Sequence, residues 1–367
     1  MPLLFGAALG LPTAVLAGCN SLLRAQERST AFVSVGLFAT VGAQALAIAG
    51  VIVSPVPAAY LTGALIATSA AMLVGLVLTR SIGVKPATRA TLRTALAYGL
   101  PTVPYMISIF ALVFADRFVI AAIDGPGAVG QYQVALAFGF LGVALVQSLQ
   151  TAWLPMTFAA SPGERWGMLG EISATVTRLA AFAAGFLALA AQPALSVLVP
   201  GTYDTGRLAN VAAIGALATV GWATYLARTQ VLLWEKRTRP LAWITPAAAA
   251  LDLGLVAVLL PPFGLEGAAA ATVAAVLVQT VLVGRAARGV AVVPWHLRTE
   301  AFAYGLAAAC VGLALLLPGT PWGTGIQIAA MTLAGLGFLR ALAAELRLIR
   351  RPAPEEPGEP GAQQPPL

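Results

Sequence analysis

The chain has 367 residues, 59% of them hydrophobic and 10% charged, with a formal net charge of +7. Soluble domains carry ~45–50% apolar and ~25% charged residues, so an ordinary soluble enzyme is excluded. The cations are dispersed among apolar runs and form no patch, with Lys85 and Lys236 the only lysines among many arginines, so no nucleic-acid partner is expected.

At roughly 20 residues per crossing, hydropathy divides the chain into eleven predicted spans. They cover residues 3–23, 31–53, 58–79, 95–120, 128–153, 174–199, 207–230, 240–260, 266–284, 301–317 and 323–345. The first contains Leu16-Ala17-Gly18-Cys19, which is like the cleavage box of a bacterial lipoprotein signal peptide. No cation precedes it, and cleavage there would invert every later loop, so it is read as a span. Cys19 and Cys310 both fall inside apolar runs, and neither a disulfide nor a metal site is expected.

Polar residues inside the spans are few, and each has a bland role beside a functional one. Gln44, Gln147, Gln150 and Asn210 suit sugar hydroxyls, but they equally suit bonds between helices. In the fourth span Pro101 and Pro104 remove backbone donors and bend the helix. Further along that span, Asp116 and Arg117 lie about 35 Å from Arg93 at ~1.5 Å per residue, towards the far side of the membrane. The pair is read either as a static salt bridge or as the wall of a cavity facing an anionic headgroup. Asp252 is 13 residues beyond Arg239, roughly 20 Å into a ~30 Å core, with no flanking cation. It is a candidate coupling residue that carries a proton, or a hydrogen-bonding core residue. His296, between Trp295 and Leu297 in a loop, reads as an interfacial anchor rather than a catalyst.

Sorting Lys and Arg onto alternate sides leaves only Arg117 and Arg207 of the 21 opposite the rest. The cation-rich side is cytoplasmic, which places the C-terminus inside and Met1 outside. The tail, residues 351–367, is rich in Pro, Glu and Gln and is expected to be disordered. A membrane-embedded enzyme needs clustered acids or a His with a carboxylate in a sizeable loop. The longest internal loop, Ala159 to Glu171, offers only Glu164 and Glu171. No catalytic residue and no cofactor is therefore expected.

An internal repeat adds architecture. Leu22-Leu23-Arg24, a charged turn and a new span return as Leu232-Leu233-Trp234 with Glu235-Lys236-Arg237, and Gly63-Ala64-Leu65-Ile66-Ala67-Thr68 returns as Gly267-Ala268-Ala269-Ala270-Ala271-Thr272. Spans one to three thus match spans seven to nine in the same orientation, a parallel repeat of six-helix units whose first copy shows only three helices. The expected fold is all-α integral membrane with eleven transmembrane helices. Residues 1–93 form a partial N-terminal lobe, residues 94–289 a six-helix C-terminal lobe, residues 290–350 two additional helices and residues 351–367 the tail.

This sequence resembles the polysaccharide flippase branch of the multidrug/oligosaccharidyl-lipid/polysaccharide exporter superfamily, whose plan is six plus six plus two helices. The resemblance rests on Leu22-Leu23-Arg24-Ala25-Gln26, Tyr98-Gly99-Leu100-Pro101 with Ala115-Asp116-Arg117-Phe118, Gly127-Ala128-Val129-Gly130-Gln131-Tyr132, and Pro262-Phe263-Gly264-Leu265-Glu266-Gly267-Ala268-Ala269. It runs from Met1 to Arg350 in the family's order. The family's first three helices have no counterpart, and Asp252 stands where the family more often has Asn; the expectation is a start upstream of Met1, or a partner that completes the lobe.

The resemblance implies a multi-pass protein of the cytoplasmic membrane that carries a polyprenyl-pyrophosphate-linked oligosaccharide to the outer leaflet. Asp116, Arg117, Gln44 and Gln147 would then line the cargo cavity, with Asp252 as the coupling residue. Expected partners are the lipid-linked oligosaccharide, membrane lipid and polysaccharide-assembly proteins. The alternatives are a multidrug or peptidoglycan-precursor exporter of the same fold, and a truncated, non-transporting membrane protein.

Overall fold

The computed structural model describes residues 2–26, 28–80, 88–100, 103–161, 163–317 and 321–349. The expected disordered tail, Lys85, Pro101 and the turn at Pro318 lie outside them. The described residues are almost wholly helical and contain no strand. By length and composition eight helices among them can cross a membrane, or nine if the bent pair Gly125–Gly139 and Leu141–Thr151, which meet at 48°, is one span. The chain forms two compact units, Met1–Leu96 and Ala97–Leu367.

In the first unit α1 (Pro2–Ala25) is followed by α2 (Ser29–Leu37), a π-helical turn (Phe38–Gly42), α3 (Ala43–Val53) and α4 (Pro57–Arg80). Helix α4 packs on both α1 and α3, around a small core of Leu16, Leu23, Val35 and Ala71. Gly63 makes the α3–α4 contact close, since a Cβ there would collide with the Leu46 carbonyl. Most large apolar side chains of this unit point outward, Ile52, Val53 and Val77 among them. Arg28 Nη1 donates to the Leu78 carbonyl at 2.8 Å, tying the α1–α2 corner to the end of α4.

Helix α5 (Arg89–Gly99) leads into the second unit, and the predicted fourth span is interrupted at Ala115, between α6 (Val103–Phe114) and α7 (Asp116–Ile123). Next come α8 (Gly125–Gly139), α9 (Leu141–Ala159), α10 (Arg165–Leu198), α11 (Thr205–Ala216) and α12 (Ala218–Trp234). Asp204 caps α11 by accepting the Arg207 N–H at 3.1 Å.

Residues Arg239–Arg288 run as α13, folded back on itself at Gly264, whose φ of 63° and ψ of −151° are not helical. Pro261 and Pro262 precede the bend, where the missing N–H groups and the left-handed glycine together end one helix and begin its return. The two predicted spans 240–260 and 266–284 are these two arms. Helices α14 (Leu297–Leu316) and α15 (Pro321–Ile349) complete the unit, both packed on α10.

Between helices in lipid the hydrophobic drive is weak, so close packing and interhelical bonds hold them together. The buried positions of α10 and α13 are accordingly dominated by alanine. Thr280 Oγ1 donates to the Gly221 carbonyl at 3.0 Å, and Gln279 Nε2 to Thr245 Oγ1 at 3.3 Å. Pro193 inside α10 has no N–H for the Leu189 carbonyl, and Gln327 Nε2 of α15 fills that vacancy at 2.8 Å.

Candidate functional site

Among the described residues, the second unit brings two of its three buried carboxylates together near where α6 gives way to α7. In an uninterrupted helix the Arg117 N–H would donate to the Val113 carbonyl. Here it donates to Asp116 Oδ1 at 2.9 Å, and Arg117 Nη1 takes the Val113 carbonyl at 2.5 Å. The same Nη1 pairs with Asp116 Oδ1 at 2.6 Å. Side chains thus take over the backbone groups freed by the break at Ala115. Arg117 Nε donates to Gln133 Oε1 of α8 at 2.6 Å, and the guanidinium lies over the rings of Phe114 and Tyr132, 4.9 and 5.7 Å from their centroids.

Asp252 faces this pair from the first arm of α13, and both aspartates are fully buried. The charges of Asp116 and Arg117 act on Asp252, and Thr272 of the returning arm lies against it. Tyr132 of α8 joins them, its hydroxyl 3.4 Å from Thr272 Oγ1 and next to Asp116. Neither oxygen of Asp252 has a partner within hydrogen-bond distance, nor has Asp116 Oδ2, the hydroxyls of Thr272 and Tyr132 lying against the two carboxyls just beyond it. A buried acceptor left unpaired costs about 1–3 kcal/mol, more when charged. With both carboxylates ionised, the cluster is one positive charge short of balance.

Beside the cluster, α6, α9, α12 and α13 enclose a cavity of about 160 Å³, lined among others by Leu112, Phe140, Gln147, Trp222, Thr272 and Val276. Thr272 is common to both, so cavity and acids form one site. Gln147 is exposed at the cavity's edge. Trp222 is 6% exposed, and its Nε1–H has no acceptor.

Of the residues singled out by sequence, the structure therefore brings Asp116, Arg117 and Asp252 together, with Gln147 across the cavity. Arg117 bonds to Asp116, the Val113 carbonyl and Gln133. Gln44 belongs to the first unit, where its Oε1 accepts from the Tyr60 hydroxyl at 3.0 Å on the surface. Gln150 is half-buried on α9. Asn210 donates to Glu266 Oε1 at 2.8 Å, joining α11 to α13. His296 Nε2 is 3.0 Å from Glu171 Oε1 in an exposed pair.

Tyr132, Gln133, Thr272 and Trp222 were not reached as site residues by sequence. Two of them carried a signal, since Tyr132 closes the Gly127 to Tyr132 motif and Thr272 closes the repeat that starts at Gly267. A second buried ion pair, Arg228 Nη2 to Glu300 Oε2 at 2.5 Å, was also not anticipated; it joins α12 to α14. Comparison with protein families, curated proteins and solved structures finds no match to this chain.

Proposed function

We propose that this chain is a transporter of the cytoplasmic membrane which moves a polyprenyl-pyrophosphate-linked oligosaccharide from the inner to the outer leaflet, driven by protonation of Asp252. The observation that carries the transport reading is the buried Asp116–Arg117–Asp252 cluster opening on a partly polar cavity. Ionisable side chains within membrane helices are costly and mark ion or substrate pathways. The cargo rests on the sequence resemblance. An apolar groove of about 390 Å³ lined by Leu141, Leu145, Phe186 and Phe338 suits a prenyl chain kept apart from the polar headgroup.

In this reading all eleven helical segments cross the bilayer. Arg165, Arg228, Arg239, Arg285 and Arg298 fall towards one end of the alternating helices of the second unit. At the opposite end Asp124, Asp204 and Glu266 share a cavity with Arg207. The arginine end is cytoplasmic by the positive-inside rule. In a variant lacking Cys19 and Cys310, single cysteines at Pro55 and Gly201 should be labelled from outside, and one at Lys236 only after permeabilisation. The reverse pattern contradicts this topology.

The excess of carboxylate over cation, with Phe140 and Trp222 in the cavity wall, favours a cationic amphiphile as the second reading. Proteoliposomes loaded with a fluorescent polyprenyl-pyrophosphate oligosaccharide separate the two. Movement of this lipid between leaflets supports the proposal, and movement only of a cationic dye replaces it with drug export.

A further inference from the structure

The cavity beside Asp252 has one unmet donor in its wall, Trp222 Nε1–H, and reaches the unmet acceptors of Asp252 only through Thr272, which lines it. Its volume of about 160 Å³ far exceeds the ~10–15 Å³ that one water needs, and cavities stay empty when their walls are apolar. Here Trp222 presents a buried donor without an acceptor, while both oxygens of the neighbouring Asp252 are acceptors without a donor within hydrogen-bond distance. Thr272 lies between, and its hydroxyl makes only long contacts, 3.3 Å to the Ala268 carbonyl and 3.4 Å to Tyr132. Leu112, Phe140 and Val276 make the rest of the wall apolar, so a file of water there would be held by the polar groups of Trp222, Thr272 and Gln147. Gln147, exposed at the edge, carries the cavity to the surface of the second unit.

We infer that this cavity is a hydrated chamber through which protons reach and leave the Asp252 carboxyl, with Gln147 at its mouth, Trp222 Nε1–H anchoring a water and the Thr272 hydroxyl as the last link. The inference deepens the proposed function and rests on its reading of Asp252 as the coupling residue. Loading moves one proton from bulk water along the file to a carboxylate oxygen, giving a neutral carboxylic acid; release returns it by the same path. Only O–H bonds are made and broken. The titratable groups acting on Asp252 are Asp116 and Arg117 of α7, besides which Tyr132 of α8 adjoins both acids. Loading brings the cluster to one carboxylate against one guanidinium.

The test uses the full chain in lipid nanodiscs and no cargo, so it stands apart from any failure to transport. Infrared difference spectra after a pH step should show a protonated carboxyl band that Asp252→Asn removes, and the proton in that band should exchange with D2O without delay. Without a water path exchange waits for local opening, so Gln147→Trp and Thr272→Val should slow it roughly tenfold or more. Thr272→Ser should preserve the fast rate. Gln147→Leu serves as a smaller plug should the tryptophan disturb folding. Exchange that is slow in the parent chain, or unchanged in both plugged variants and Thr272→Val, overturns the chamber. A band that survives Asp252→Asn overturns the assignment of its proton. Fast exchange in a chain that moves no lipid leaves the chamber standing and removes the exporter reading instead.

Discussion

The two units use the same kind of helix for different ends. In the first, the described helices bury a handful of apolar side chains, and the bond from the Tyr60 hydroxyl of α4 to Gln44 of α3 lies on the surface. In the second, a helix break, two arms of a folded helix and a neighbouring helix converge on two buried aspartates and an arginine. Yet Gly63 and Gly267, which the sequence reading aligns with each other, do the same work in both. Each lets its helix approach the preceding helical arm so closely that a Cβ would strike a carbonyl oxygen, of Leu46 in one case and Leu259 in the other. The difference teaches that similar close packing need not carry a similar site; buried carboxylates belong to the second unit alone among the described residues.

The largest effect should come from breaking the charged side of this comparison. Arg117→Ala strands Asp116 in a buried site and reopens the Val113 carbonyl, so it should cost about 3–5 kcal/mol, read as a lower unfolding temperature in nanodiscs. The equivalent change in the first unit, Arg28→Ala, removes one charge-assisted bond to the Leu78 carbonyl and should cost only about 1.5–3 kcal/mol. Equal losses would mean that the Asp116 pairing adds nothing beyond a backbone bond.

A sharper comparison comes next. Gly63→Ala and Gly267→Ala each insert a methyl against a carbonyl and should each cost about 1–3 kcal/mol, measured by the same unfolding assay. Costs that differ by more than this range between the two sites would break the packing equivalence that supports the repeat. The smallest effect should be Tyr60→Phe, which removes the exposed bond to Gln44. Membrane interhelical hydrogen bonds average ~0.6 kcal/mol, and a loss well above that would place Gln44 in a role the surface bond does not explain.

The long helices were legible because they are apolar runs with clear punctuation: Pro57 opens α4, and Pro261-Pro262-Phe263-Gly264 turns α13 back. The break between α6 and α7 was not, for Ala115 is neither proline nor glycine and only the competing bonds of Asp116 and Arg117 reveal it. Asp116, Arg117 and Asp252 could each be singled out by the cost of charge in an apolar run. Their meeting could not, since it depends on α7 packing against a distant arm of α13, a contact with no local period. Trp222 and Thr272 were hidden for a different reason: both are ordinary in apolar helices, and only an unmet donor or a shared cavity wall distinguishes them.

The central claim is that Asp252 couples protonation to movement of the lipid-linked cargo. The direct measurement is the pH dependence of leaflet-to-leaflet translocation in proteoliposomes, compared between the parent chain and Asp252→Asn at matched amounts of folded protein. The account predicts translocation that responds to pH in the parent chain and loses that response in Asp252→Asn, which keeps the side chain's shape but cannot carry the proton. An identical pH response in the two proteins would contradict it and leave Asp252 as a hydrogen-bonding residue of the core.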